Sequence, residues 1–539
     1  MSKRNYKSLR PSIRMLLPVA VAIVSALAAS SVQAAAPGIS DTGTANAFGL
    51  NAGEAFISQP DGASVYSWGY GCASGTTPSF VPAAMTAPSN ACSTMQIPGP
   101  TLIVTRGQTI TITLTNNLPA AAGNTSILFP GFKVNATGGV DGLLTKEAAH
   151  GGTVTYQFVA DKLGTHSYYS GTQGDLQIEM GLYGAIIVVP GAGDVTPATC
   201  GTSLNDAARS ANGEGDFRHA KAAYLSKFAC YDREYLFQFS EMDPRIHRQA
   251  EEQKGKNANC TKTTGCLNVT TEPYLPSYYM INGRSMPDDM DPNYAMQYPH
   301  QPYNGNPHMH PGELVLLRVI GQGRWQHPFH EHGNHVRLLA RDGNLLVSNE
   351  NDTSDSNPLA GPLLFTTTTT PGQALDGVFY WTGKGLNWDV FGHGYTGDTT
   401  PCEPDANGYY TSAPAAPNFY EWCGDHDKAL ESKPFGQVGS GGPVTLPDAN
   451  ITALGAWFSG SPYLGGEATA RAVGSTPIPP SGTVGNSPTD EGGFAFMWHS
   501  HNEREITTNN IFPGGMMMMM LVDPRKKGDG TPLAIDESK

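Results

Sequence analysis

A chain of 539 residues with 47 acidic against 33 basic side chains, and so a formal charge of -14, offers little to nucleic acid or to an anionic membrane surface. Its 63 glycines and 41 prolines, with stretches rich in Thr, Val, Ile and Tyr, point to short strands joined by turns and away from a helical protein.

The first element in chain order is a leader. Lys3, Arg4, Lys7, Arg10 and Arg14 precede a short apolar run, Met15 to Ala29, and Val32-Gln33-Ala34 is a small-residue cleavage site. No Arg-Arg pair stands before the apolar run, which favours general secretion over the twin-arginine route. Its removal takes away five positive charges and no acidic ones, moving the charge from -14 to -19. About 505 residues remain, enough for two or three domains with cores of their own. The apolar run is too short for a stable membrane span and nothing later is longer. The chain is therefore expected to be soluble and exported, secreted or periplasmic, after cleavage near Ala34.

Eight cysteines in an exported chain are most simply disulfides. Connectivity does not follow from sequence alone; pairing neighbours in order gives Cys72 with Cys92, Cys200 with Cys230, Cys260 with Cys266 and Cys402 with Cys423. None lies in a histidine-rich string, which argues against a thiolate metal ligand.

From about Ala47 to Pro190, PGPTLIVTRGQTITITLTNNLP alternates strictly across Thr109 to Thr115, as a half-buried strand does. GGTVTYQFVAD and GLYGAIIVVPG add further strands, and the region reads as one antiparallel sandwich. Pro197 to Ala222 is polar and rich in small residues, as a linker is. A second strand-rich region opens with REYLFQFSEMD at Arg233 and runs through YYMINGRSMPDD and GELVLLRVIG to the string HPFHEHGNH, His327 to His335. After VRLLARDG and PGQALDGVFYWTG comes a Gly/Pro/Ser/Asn-rich stretch, a loop excursion or a small third domain, and then FAFMWHSHNERE and GGMMMMMLVDP.

Each histidine string holds His-x-His. Residues two apart on a strand share a face, so His330 with His332 and His499 with His501 form two pairs that would converge on the inner face of the second sandwich. Four neutral imidazoles suit copper or zinc; a metal-free cluster bonded to Glu331, Glu503 and Glu505 is the bland alternative. His308 and His310 in PHMHPG read as a solvated pair in a turn. His150, His166, His393 and His426 are isolated and read as structural. Alternate residues of Met516 to Met520 fit a closing strand that faces the core, with Met516 a weak ligand candidate.

In this order the motifs PGPTLIVTRGQTITITLTNNLP, GLYGAIIV, INGRS, HPFHEHGNH and WHSHNERE resemble those of the multicopper oxidases, and of their two-domain members in particular. The resemblance spans roughly Pro98 to Pro524 apart from the linker and the Gly/Pro-rich stretch. It implies an all-β chain of two cupredoxin-like Greek-key β-sandwiches with a long loop-rich insertion in the second. The expected plan is a signal peptide over 1–34, a first domain over 40–195, a linker over 196–230, a second domain over 231–525 with its insertion over 387–490, and a tail over 526–539.

In that family four His-x-His pairs hold a three-copper cluster, and a blue copper is held by two histidines and a cysteine. Carried over by position, His330 with His332 and His499 with His501 match two pairs, and His327 matches a blue-copper histidine. Leu128 and Pro130 stand where a third pair belongs, and Tyr169 and Gly171 where the fourth does. Ser500 replaces the cysteine and Glu505 the second blue-copper histidine, so no blue absorption is expected. His327 with Glu505, with Ser500 turned toward them, makes either a hard-ligand second metal site or a hydrogen-bonded filler of the old pocket.

These readings imply copper, with zinc as the alternative metal, bound at His330, His332, His499 and His501. Three functions fit: an oxidoreductase with a reduced metal site acting on a small molecule or metal substrate, a non-catalytic copper carrier or sink, or a structural protein on an altered scaffold. A homo-oligomer is an open expectation.

Overall fold

The computed structural model describes residues 36–83, 85, 92–191, 193–194, 197–201, 203–354, 356–384, 403–416, 419–424, 460–463, 469–470, 484–485, 493–526 and 531–535. The leader, His393, His426, Cys402 and most of the expected insertion lie outside these residues.

The expected all-β architecture of cupredoxin-like sandwiches is what the chain adopts. The first sandwich is two five-stranded sheets. One runs Gly164–Tyr169, Tyr183–Val189, Leu102–Thr105, Gly38–Asp41, Ser79–Val81, and the other Ser64–Cys72, Ala47–Ser58, Thr109–Asn116, Thr153–Val159, Asn135–Gly138. The alternation of Thr109–Asn116 is kept: Ile110, Ile112, Leu114 and Asn116 are buried while the threonines between them are not. The sheets are mixed and not antiparallel as expected, because Ala47–Ser58 runs parallel to Thr109–Asn116, and Leu102–Thr105 parallel to Tyr183–Val189. Strands brought side by side by long crossovers are not bound to the hairpin rule that the local pattern suggests.

The second sandwich follows the same plan. A seven-stranded sheet is built around Arg233–Met242, Leu314–Gly321, Ala374–Tyr380 and Val336–Arg341. Facing it, a six-stranded sheet is ordered His308–Met309, Met517–Val522, Gly493–Ser500, His327–Glu331, Thr366–Thr369, with Gly460–Tyr463 also on Gly493–Ser500. The core between them holds Phe237, Phe239, Phe329, Trp498 and Phe496, together with Met516, Met518 and Met520. The methionine run thus packs as a strand with alternate thioethers inward.

The two sandwiches meet through sheet faces that are themselves apolar. Ala185, Ile187 and Val189 of the first pack against Leu236, Ile320 and Ala374 of the second, which is why both Tyr183–Val189 and Arg233–Met242 are buried along their whole length. Asp376 pins this contact, accepting hydrogen bonds from the Thr165 amide at 3.1 Å, Thr165 Oγ1 at 2.6 Å and Tyr224 Oη at 2.5 Å, with Arg318 Nη1 3.6 Å away. All four side chains are buried.

Among the described residues, two helices of eight or more residues were not anticipated. Pro244–Lys254 starts on an Asp243 side chain that accepts from the Arg245 amide, with Pro at its first position, and buries Ile246, His247 and Ala250. Within the polar stretch expected as a linker, Leu204–Ala211 is helical and Arg209 and Glu214 are buried. Ion pairs hold that stretch in place: Arg218 to Asp206 at 2.7 Å, and Arg233 to Glu214 at 2.6 Å. Cys72–Cys92, Cys200–Cys230 and Cys260–Cys266 are disulfides, as neighbour pairing expects; Cys423 is also disulfide-bonded, and among the described residues no cysteine is free. No described helix is long and apolar enough to cross a membrane.

Candidate metal centre

His327–Glu331 and Gly493–Ser500 are antiparallel neighbours whose register sets His330 opposite His499 and Glu331 opposite Trp498. Directly opposed residues share a face, so that register brings the two histidine strings together. One ring nitrogen from each of His330, His332 and His499 lies within 4.8 Å of the others, and all three residues are buried. His501 sits at the edge of the group. Its ring centroid is 4.8 Å from that of His330 and 5.6 Å from that of His499, yet 55% of its side chain is exposed.

The face they occupy differs from the expected inner one. Phe329 and Trp498 point into the aromatic core, and strand alternation therefore turns His330 and His499 to the outer face of the six-stranded sheet. The first sandwich packs on the outer face of the other sheet, so the cluster stands on the far side of the second sandwich from it.

The ring orientations are fixed from behind. His499 Nδ1 lies 2.7 Å from the Ser500 carbonyl oxygen, which only accepts, so Nδ1 carries the proton and Nε2 the lone pair. His330 Nδ1 is held 2.8 Å from Thr366 Oγ1. His332 Nε2 and His499 Nε2 approach to 3.2 Å, close to the ~3.3 Å that separates two nitrogens bound at about 2.0–2.1 Å to one tetrahedral ion. Burial, with the like charges of His332, His501 and His499 behind it, lowers His330 to about 4, and burial lowers His499 as well. Both rings are therefore neutral at pH 7, the state in which imidazole binds a metal. The donor set fits a copper ion of the kind the sequence resemblance implies.

On the core side of the same strands lie His327, Ser500 and Glu505, the residues the sequence resemblance sets at a blue-copper position. Glu505 Oε2 accepts from Ser500 Oγ at 2.5 Å and from His327 Nδ1 at 2.9 Å, while His327 Nε2 donates to Glu241 Oε2 at 2.9 Å. A carboxylate oxygen thus occupies the place between the imidazole and the side chain at position 500. Burial alone would lower His327, but hydrogen bonds and charges of Glu241 and Glu505 outweigh it and raise the ring to about 9. The pair considered from sequence as a second metal site is an imidazolium between two carboxylates, with no lone pair for a metal. Met516 flanks it through the main chain, accepting from the Ser500 amide and donating to the Glu505 carbonyl at 2.9 and 2.8 Å. Glu241 was missed from sequence, since it lies in an unremarkable strand 86 residues from His327.

The other two family positions are also juxtaposed, without donors. Leu128 and Tyr169 form a bridge, and a Cβ at Gly171 would come 2.8 Å from Leu128 Cγ. Leucine has filled the space that a side chain at position 171 would need. His308 and His310 are not solvated as expected. His308 Nδ1 is 2.6 Å from Asp523 Oδ2, and buried His310 lies 2.7 Å from Glu214, whose carboxylate also pairs with Arg233.

Residues 84–193 match the protein-family model described as Multicopper oxidase. A multicopper oxidase, MCE, of Talaromyces pinophilus is 32% identical over 114 residues, 21% of this chain and 18% of that protein. Laccase abr2 of Aspergillus fumigatus is 37% identical over 98 residues, 18% of this chain and 16% of its own length. The chain thus spans less than a fifth of the curated relatives it matches. Among solved structures, the multicopper oxidase mgLAC aligns with 90% of this chain and 87% of its own at 14% identity and a TM-score of 0.43. The blue copper oxidase of Nitrosomonas europaea aligns with 88% of this chain and 85% of its own at 14% identity and a TM-score of 0.41.

Proposed function

We propose that this chain, whose residues 84–193 match the multicopper oxidase model, is an exported copper-binding protein whose metal sits at His330, His332, His499 and His501. The observation that carries this reading is the 3.2 Å approach of His332 Nε2 to His499 Nε2, with His499 held so that a lone pair faces its neighbour. The Nδ1 atoms of His330 and His499 are held from behind by Thr366 and the Ser500 carbonyl, which leaves their Nε2 atoms for an ion. Copper supplies a redox-active Lewis acid when bound. The chain's own part is to present neutral imidazoles in fixed tautomers and to leave His501 at the solvent edge.

Binding without oxidase turnover is favoured over an active oxidoreductase. Ser500 offers no thiolate, and His327 is engaged at both nitrogens by carboxylates, so the route by which electrons enter relatives of this kind has no counterpart. The disulfides fit an oxidising compartment.

The test is metal analysis and electron paramagnetic resonance of the protein loaded with Cu(II) and dialysed. One copper per chain is expected, with nitrogen hyperfine structure and no intense thiolate-to-copper absorption. His332→Ala with His499→Ala should lose the ion while keeping the melting temperature of the metal-free protein. No retained copper, or full retention by the double variant, overturns the assignment. Oxygen uptake with Fe(II) or Cu(I) by the loaded protein would restore the oxidoreductase reading.

A further inference from the structure

Away from the histidine cluster, a cavity of about 390 Å³ opens where the edge of the first sandwich's sheet, Gly38–Asp41 and Ser79–Val81, faces the segment 291–303 of the second half. Its walls are aromatic and locked against one another. Phe80 meets Tyr294 edge to face at 5.8 Å and 86°, and Tyr294 meets Tyr303 in the same way at 6.0 Å and 74°. Tyr303 is fixed in turn, its hydroxyl accepting from the Thr101 amide at 3.0 Å. Prolines flank these rings, and Met296, 83% exposed, forms a flexible apolar lip.

Few polar groups interrupt this surface. His300 Nδ1 lies 2.8 Å from the Met95 carbonyl oxygen, which also accepts from Ser93 Oγ at 2.6 Å. A carbonyl only accepts, so Nδ1 carries a proton and Nε2 is the ring nitrogen left for a ligand in the cavity that His300 lines. A preformed concave site of this volume, mainly apolar with one oriented acceptor, has the make-up of a small-molecule site. A rigid wall of aromatic rings favours a flat π-system packed against it, and the excess of acidic over basic side chains disfavours an anion.

We propose that this cavity binds a neutral, flat, one- or two-ring aromatic molecule bearing one N–H or O–H donor, which it gives to His300 Nε2. The site is separate from the metal centre and does not depend on its loading.

Isothermal titration calorimetry of the full chain with indole, and with 1-methylindole as the same shape lacking the donor, tests the assignment. Indole should bind one to one with a dissociation constant on the order of 100 µM, and 1-methylindole about tenfold more weakly for the lost hydrogen bond. His300→Ala should bring indole down to the level of 1-methylindole. Ala295→Trp, which fills the cavity from its wall, should abolish both while the melting temperature holds. Absence of saturable heat with indole, or equal affinity for the two probes in the unaltered chain, overturns the proposal with no variant needed. Unchanged binding in folded Ala295→Trp would place the ligand elsewhere and overturn it equally.

Discussion

Replacing Glu505 by glutamine should flatten the pH dependence of stability above neutrality. In the folded chain His327 is fully buried between Glu241 and Glu505 and is raised from its ordinary 6.5 to about 9. A group held more basic when folded contributes stability that is complete below its unfolded value and is lost as pH climbs through the folded one. The window is therefore about pH 6.5 to 9. At about 1.4 kcal/mol for each pH unit, the contribution is about 3 kcal/mol, or about 6–12 °C in melting temperature for a domain of this size. The side-chain amide introduced by Glu505→Gln would still accept from Ser500 but would leave only the Glu241 carboxylate to hold the imidazolium, so roughly half of that decline should disappear. Differential scanning calorimetry of both proteins from pH 6 to 9 measures it. The comparison between them matters because Glu331, raised by burial to about 8, titrates in the same range. Curves that stay parallel across the window would refute the assignment of a charged His327.

Glu331→Gln should stabilise the protein above pH 8, because the buried carboxyl, which accepts from Thr367 Oγ1 at 2.7 Å, costs the fold as it ionises between its ordinary 4.5 and about 8; urea denaturation at pH 6 and 9 checks it. Below neutrality the sign reverses at the histidine cluster. His330, lowered to about 4, costs the metal-free fold stability as pH falls from 6.5 to about 4, so His330→Gln should flatten that acid limb in calorimetry of the metal-free protein. Asp376→Ala should cost about 3–5 kcal/mol in urea denaturation, since it strands Thr165, Tyr224 and part of Arg318 at the contact between the sandwiches. Ser500→Cys combined with Glu505→His should, on adding Cu(II), produce the strong thiolate-to-copper absorption that the natural chain lacks, and a colourless double variant would show that Glu241 alone closes the pocket.

Period made one first-sandwich strand legible, and motif made the histidine cluster legible. Alternation across Thr109–Asn116 gave that strand its buried face, and the two His-x-His pairs pointed to one cluster. The side of the sheet was legible too, had Phe329 and Trp498 been weighed: a large apolar residue next to each histidine claims the core and sends its neighbours out. The helix Pro244–Lys254 left a local mark, Asp243 before Pro244, that strand-rich surroundings obscured. Glu241 left none, because its role depends on a parallel crossover that sets its strand beside distant ones, and only the fold turns its carboxylate to His327. The burial of His310 likewise follows from Glu214, Arg233 and Glu313 arriving from three separate segments.

The outward turn of His330 and His499 separates two events that are inseparable in a zinc finger. The aromatic interior closes over Phe329 and Trp498 without drawing on either imidazole, so the packing of the sandwich does not depend on what the histidines hold. On the proposed copper-binding reading, an ion would exchange reversibly at the rim beside exposed His501, and a strong chelator should strip it from a protein that stays folded.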